Sequence, residues 1–468
     1  MASTIIRLTH REAINFIMKN LYEMNRLWTR MFNRTNNNSL NKEAKELDML
    51  IGENIVRLSS LEEMNTDTYK SSILPQLFTF IHTSKNIISQ QYLIDCIIKV
   101  FPDDYHLCTL KELLEGCMTL EKGVDVKDFI SELMERLTAY ENIEREGVYE
   151  VFEKYVNWVF NKEATKGLLE LSIRFIRFSI KLYPDKVDNV LKLTEEVIKR
   201  ENDEDLLMKL LMIVLKNIPV LKLEYFSVLI GYLSSNIQVK LSVDILQVLI
   251  SSKQQLNSLE MIDKVLKLIA PLIESENYPH DVKVSLGRLV HFINIESKEQ
   301  ELIAITRFKQ ELSKGGINII KATYPSLIWS LYKLSAKDNN LKIFELSFQI
   351  AEELTPIIPE HTIKLLLHGA LSLNALETIE AESLFMQHID KALSIYQDKL
   401  IDSNVKYKIL ILVIGTIERV KVLSDKSFDQ LTKKVIGSCV RLLRKQDQCK
   451  AILMCSHIFV TPTRVIVD

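Results

Sequence analysis

The sequence predicts an all-α protein, a HEAT-like right-handed α-solenoid of about 22 helices. Three observations carry this reading. Apolar residues recur at three- and four-residue steps along nearly the whole chain, the spacing of one face of a helix. Glycine (12) and proline (10) are scarce for 468 residues, whereas β-rich or α/β chains need more of both at their turns, and average usage is about 7% and 5%. The helical segments follow one another roughly every 20 residues with short links, and one turn recurs at a distance that fits a helix-pair repeat.

The first helical region covers residues 5–34, with Ile14, Ile17, Met18, Leu21, Met24, Leu27 and Trp28 on one face. Asn33–Asn41 is a polar loop, and its two sequons, at Asn33 and Asn37, are read as chance matches. Residues 43–61 resume the pattern. Residues 73–81 form a helix with Pro75 early, where a helix tolerates it. Tyr92–Leu110 is the clearest unit. Tyr92, Leu93, Cys96, Ile97 and Val100 form a stripe, and Phe101-Pro102 breaks the helix because the residue before proline avoids the α region. Asp103 and Asp104 then occupy the first turn of the next helix, where its dipole favours carboxylates.

Helices are expected at 124–137, 148–160 and 168–182. Leu182-Tyr183-Pro184-Asp185 repeats the chemistry of Val100-Phe101-Pro102-Asp103 with 82 residues between the prolines. That is twice about 41, inside the 40–47-residue period of HEAT-like repeats. Expected helices continue at 187–198, 206–215, 221–233, 241–250, 261–273, 282–293, 302–312, 319–334, 341–354, 363–373, 384–396, 405–423, 431–443 and 449–459. Residues 405–423 are apolar on most faces, so that helix should have neighbours on several sides. Gly315-Gly316 reads as a helix stop. No glycine-rich stretch marks a linker. An ordinary packing into globular domains would give about three, but the pattern predicts one solenoid over 1–468, with 1–200 as its N-terminal and 201–468 as its C-terminal part.

Charge is balanced, with 59 Lys and Arg against 61 Asp and Glu. The net charge of −2 gives no electrostatic reason to expect nucleic acid or anionic lipid as a partner. The six cysteines mostly fall in helical stripes and read as reduced core thiols of a cytosolic protein. The N-terminus has no apolar core of a secretory signal. The longest aliphatic run, 409–414, is far short of the roughly 18 residues of a membrane span.

No nucleotide-binding glycine motif, zinc-protease motif or nucleophile elbow is present. Cys449, Cys455 and His457 are the nearest approach to a metal set, but 449 and 455 point about 240° apart on a helix. His361 and His368 lie too far apart to chelate one ion. His106 reads as a capping or solvent-facing residue. Arg441, Arg444 and Lys445 form a small basic cluster, best read as a solvated helix face. Trp28, Trp158 and Trp329 look like core anchors. No catalytic, cofactor or metal site is expected, and the chain reads as non-enzymatic.

Several stretches resemble the large α-solenoid subunit of retromer, of the vacuolar protein sorting 35 family. The nearest in wording is CIIKVFPDDYHLCTL (96–110). NLYEMNRLWTRM (20–31), VDVKDFISELMERL (124–137), LYPDKVDNVLK (182–192), ILVIGTIERVK (411–421) and LLRKQDQCKAILMCSHIF (442–459) follow in the family's order. The resemblance implies a scaffold that holds an arrestin-like subunit at its N-terminal end and a metallophosphatase-fold subunit on the concave face of its C-terminal half. It also implies sorting nexins, a Rab-family GTPase and cargo receptor tails as partners. The implied setting is the cytoplasm, peripheral on the endosome membrane, in retrograde transport to the Golgi and in recycling. The family has further helices before the region matching Asn15, with a P-R-L-Y-L-M signature that this sequence lacks, and it continues past Phe459. A chain short of both family ends is therefore expected. The repeat period alone would equally suit another HEAT-type adaptor, such as a nuclear-transport or coat scaffold.

Overall fold

The structure, a computed structural model, describes residues 10–32, 38–61, 64–83, 86–140, 147–162, 167–275, 278–338, 340–374, 376 and 379–460. Among these it is helical throughout, with only two isolated bridges, Lys122 to Val124 and Leu256 to Ile293, in place of any strand. The expected all-α, solenoid-like arrangement is what the helices form. They fall into two compact units, Met1–Leu233 and Ser234–Asp468.

In the first unit the helices are α1 (His10–Phe32), α2 (Asn38–Ser59), α3 (Thr66–Thr68), α4 (Leu74–Thr83), α5 (Ile87–Val100), α6 (Asp103–Cys108) and α7 (Leu110–Met118). After them come α8 (Val126–Ala139), α9 (Val148–Lys162), α10 (Leu168–Leu182), α11 (Val187–Ile198), α12 (Glu204–Asn217) and α13 (Tyr225–Ile230). One layer runs side by side through α2, α5, α8, α10 and α12, each touching the next; α7 and α9 pack together on α8, and α11 packs against α10 and against α13.

The second unit holds α14 (Ser235–Ser252), α15 (Leu259–Glu274), α16 (His280–Leu289), α17 (Lys298–Ser313), α18 (Gly316–Ser335) and α19 (Leu341–Leu354). It ends with α20 (Pro359–Leu373), α21 (Ile379–Asp398), α22 (Ser403–Glu418), α23 (Asp425–Val440) and α24 (Lys445–Val460). Here the even-numbered helices form one layer, each touching the next, and the odd-numbered helices lie behind them. Neither layer can bury its apolar stripe alone, so each stripe faces the other layer. That seam is the core, with Phe308, Leu312, Tyr324, Leu331, Phe344, Leu366 and Phe385 fully buried.

The repeat period is written in polar contacts as well as in packing. Arg174 pairs with Glu135 at 2.8 Å, Arg307 with Asp263 at 2.6 Å, Lys309 with Glu353 at 2.7 Å, Lys391 with Glu352 at 2.6 Å and Lys434 with Asp390 at 2.7 Å. These partners stand 39 or 44 residues apart in the chain. Backbone groups are tied across a shorter interval of 32 to 34 residues. Glu201 accepts from the N–H groups of Gly167, Leu168 and Leu169, which caps α10 from one repeat away. Exposed pairs of this kind add little each. Their value is register, since they tie one repeat to the next.

Several expectations change. In α5 the buried stripe is Leu93, Ile94, Ile97 and Ile98, rotated from the one read from the sequence; Tyr92, Cys96 and Val100 are only half-buried. Helical structure also begins well before residue 73. A π-helical stretch, Tyr69–Ile73, joins α3 to α4, and it accommodates Pro75, which has no N–H to give. The helix expected at 221–233 is broken into a 3₁₀ turn, Val220–Lys222, and the six-residue α13. The N–H groups of Glu224 and Tyr225 are held by the Asp188 carboxylate at 3.0 and 3.1 Å, so the helix starts there. Of the expected polar loop, Asn38–Asn41 is helical, while residues 33–37, with the acceptor asparagines of both sequons, lie outside the described residues.

Candidate functional site

The helix starts of the even-numbered layer in the second unit create an open groove. Its volume is about 700 Å³, and it is walled by Val284 of α16, Pro325 of α18, Ile358 and Pro359 at the start of α20, and Ile401 and Val405 at the start of α22. Local sequence explains each wall. Pro359 stands at the first turn of α20, where its missing N–H costs nothing. Asp402 caps α22 by accepting from the Asn404 N–H at 2.9 Å, which leaves the preceding Ile401 outside the helix and 93% exposed. Pro325 lies inside α18 and supplies no N–H to the carbonyl of Lys321, another lining residue.

The rim is charged and mixed in sign, with Lys321, Lys399 and His361 beside Glu360 and Asp402. Glu360 pairs with Lys364 at 2.7 Å, and that hydrogen bond holds its carboxyl below the usual range. No base is poised beside a nucleophile here. The groove can bind an apolar, polar-rimmed surface, and nothing in it suggests a bond-making site.

The same layer continues the exposed apolar surface. Trp329, one α-helical turn beyond Pro325, is 44% exposed, and Leu412 of α22 is 46% exposed. Trp329 was expected in the core. Instead it lies against the His368 ring, with centroids 4.7 Å apart, and edge-on to Tyr332 at 6.3 Å. Tyr332 is the buried anchor, and its hydroxyl donates to the Leu365 carbonyl at 2.9 Å. Gly369 allows this approach, since a Cβ there would stand 2.5 Å from the Tyr332 hydroxyl. α22 has neighbours in α20, α21, α23 and α24, as its composition suggested, yet the Leu412 side remains open.

The other candidates from the sequence separate. Cys449 is exposed and Cys455 buried, and His457 is exposed. Among the described residues no group of three His, Cys, Asp or Glu could hold a metal. Cys455 faces Cys439 of α23 instead, with 3.6 Å between the sulfurs. Not all cysteines are core thiols, because Cys108 and Cys449 are exposed. His361 and His368 both reach the exposed side of α20, one on the groove and one under Trp329. Arg444 donates to the Asn404 side chain at 3.0 Å, and Arg441 lines a small pocket near it. Trp28 is buried and Trp158 half-buried under the Lys162 ammonium at 4.3 Å.

His106 departs furthest from its expected place. It is fully buried, not solvent-facing, with Nε2 3.0 Å from the Ile98 carbonyl. Burial pushes its pKa down to about 4. Asp104 bonds to the Tyr140 hydroxyl.

Comparison with known proteins adds the family. The family model described as vacuolar protein sorting-associated protein 35 matches residues 6–466. The chain belongs to this family. Similar relatives carry the same name. Vacuolar protein sorting-associated protein 35A of Arabidopsis thaliana is 29% identical over 96% of the chain and 63% of its own length. The protein of that name from Dictyostelium discoideum is 29% identical over 98% of the chain and 65% of its length. That of Schizosaccharomyces pombe is 23% identical over 96% and 62%. The chain thus spans less than two thirds of the curated family members that it matches. Among the described residues no helix is long and apolar enough to cross a membrane.

Proposed function

We propose that this chain is a non-enzymatic scaffold subunit of a retromer-type coat. It assembles a cargo-recognition core for retrograde transport from endosome to Golgi and for recycling of membrane proteins. It works in the cytoplasm and reaches the endosome membrane peripherally through partners. Family membership over residues 6–466 supports this reading. The observation that carries it is the open apolar face of the even-numbered layer, from the 700 Å³ groove to Trp329 and Leu412. An exposed apolar patch with a polar rim is the mark of a protein-binding surface.

The occupant proposed for this face is the metallophosphatase-fold subunit. The arrestin-like subunit, sorting nexins, the Rab-family GTPase and cargo tails belong to the same assembly. Trp329 is the proposed anchor, because a half-exposed tryptophan braced by neighbouring rings adds contact area at little entropic cost. Affinity capture on the chain from its native cells should recover the phosphatase-fold subunit. Trp329→Glu together with Leu412→Glu should abolish that recovery without lowering the melting temperature. Recovery that survives both changes would move the partner surface elsewhere; recovery of nuclear-transport or clathrin components in its place would overturn the function.

A further inference from the structure

A second cleft lies at the opposite ends of α16 and α18 from the groove. Its construction is local and specific. α14 ends at Lys253, which takes a left-handed φ of 50° and is the one non-glycine residue with positive φ among the described residues. A side chain with a Cβ is strained in that conformation. The chain then crosses the loop after α16. The Leu256 N–H donates to the Phe292 carbonyl at 2.9 Å, and the Asn294 N–H donates to the Leu256 carbonyl at 3.1 Å. The Asn294 amide also donates to the Gln255 side chain at 3.1 Å. This seam forms one wall. The end of α18 brings Lys333 and Lys337, and the first turn of α17 brings Glu301. The volume of this half-open cleft is about 340 Å³, the size of one small molecule.

Two features of the cleft are open to a ligand at once. Lys253, Lys333 and Lys337 line it, and no carboxylate forms an ion pair with any of them among the described residues. Glu301 is 8% exposed, yet its carboxylate accepts no hydrogen bond among the described residues. Burial raises its pKa, against the pull of Lys337 and Lys333. Its oxygens are not sealed in the core but open to the cleft, where a donor can reach them. Glu301 is the one carboxylate of the lining, set beside Lys333 and Lys337, so three lysines against it leave the cleft positively charged. His291 adds to the lining, with its Nδ1 3.0 Å from the Ser330 hydroxyl.

One class of ligand matches both. A phosphate satisfies the lysines but, alone, sets a second anion against Glu301. A neutral sugar gives Glu301 a donor but leaves the lysines unmatched. We propose that this cleft binds a phosphorylated polyol, with phosphate between Lys253, Lys333 and Lys337 and a ring hydroxyl donating to Glu301. The binding is non-covalent, and it stands independently of the scaffold function proposed above. The same chemistry is presented by a soluble polyol phosphate and by the headgroup of a phosphoinositide.

Calorimetric titration of the full chain with inositol 1,4,5-trisphosphate is the test. Saturable one-to-one binding is expected, at least tenfold tighter than inorganic phosphate. Loss of one charge-assisted contact is about a tenfold loss, so Lys333→Gln and Lys337→Gln should each weaken binding by that factor. Glu301→Ala should weaken it, whereas Glu301→Gln, which keeps an acceptor, should not. Lys450→Gln, an exposed lysine outside the cleft, should leave it unchanged, and melting temperatures should confirm that each variant folds. Flotation with phosphatidylcholine vesicles, with and without phosphatidylinositol 4-phosphate, separates the sources. Lysine-dependent capture by the phosphoinositide vesicles assigns a headgroup, and its absence alongside trisphosphate binding assigns a soluble ligand. No saturable trisphosphate binding, equal affinity for inorganic phosphate, or binding indifferent to Lys333 and Lys337 would each overturn the proposal.

Discussion

The two turns at Pro102 and Pro184 share their wording but not their surroundings. At the first, Phe101 is buried against Tyr69, with ring centroids 4.6 Å apart. Arg136 reaches in from α8 to pair with Asp103 at 2.7 Å and to donate to the Phe101 carbonyl at 3.1 Å. His106 closes the same turn from below through the Ile98 carbonyl. At the second, Pro184, Asp185 and Lys186 are exposed and form a 3₁₀ turn. Tyr183 is half-buried beside Tyr149 and Phe178, at 5.6 Å from each. The prolines do the same work in both, since each stops one helix and lets the next begin. At the second, Tyr149 of a neighbouring helix supplies ring contacts to Tyr183 and Lys186, whereas at the first Arg136 supplies a clamp of an ion pair and a hydrogen bond. Identical local chemistry therefore sets where the chain bends, and the neighbour decides how much that bend is worth.

Breaking this contrast should give a graded series. Phe101→Ala empties a fully packed site and should cost about 3–5 kcal/mol, against about 1–2 kcal/mol for Tyr183→Ala; urea denaturation of both variants measures the gap. Equal losses would mean that the two turns are equally buried in solution.

His106 comes next. Its pKa is about 4 in the fold, against about 6.5 in the unfolded chain. The unfolded state thus binds the proton first, so this residue's stability is complete above pH 6.5 and is lost as pH falls towards 4. The loss between pH 7 and pH 5 should be roughly 2 kcal/mol. His388, also buried with a pKa of about 4, adds a change of the same sign. Melting temperatures at the two pH values should therefore converge in His106→Leu, though not fully; an undiminished pH dependence would place His106 in water.

Arg136→Ala removes the clamp and leaves the Phe101 carbonyl without its donor. A cost of about 1–2 kcal/mol is expected, kept modest because the Arg136 and Asp103 side chains are each about a quarter exposed. The matching change at the other turn, Asp185→Asn, should stay within about 0.5 kcal/mol. A larger loss at Asp185 would reveal a clamp on the second turn.

The sequence by itself determined that the chain is helical along most of its length, some of the helix ends, the repeat of about 40 residues and the family. These depend on local chemistry: spacing along one helix, the missing N–H of proline, and side chains that cap helix ends. The boundaries at Leu168–Leu182 and Leu341–Leu354 were legible to the residue for that reason. The candidate site was not. Spacing fixes the angle between residues on one helix, but not which angle faces the other layer. Trp329 shares a four-residue step with Lys321 and Pro325, a signal that placed it on the wet side, but a tryptophan in an apolar run reads equally well as core. His106 shows the reverse error, for an imidazole beside two aspartates reads as surface until α5 supplies the Ile98 carbonyl. The unpartnered Glu301 and the three lysines around it come from helices and loops up to 84 residues apart, counting from Lys253 to Lys337. Only packing between layers decided which side chains meet, because burial is a property of the neighbour and not of the residue itself.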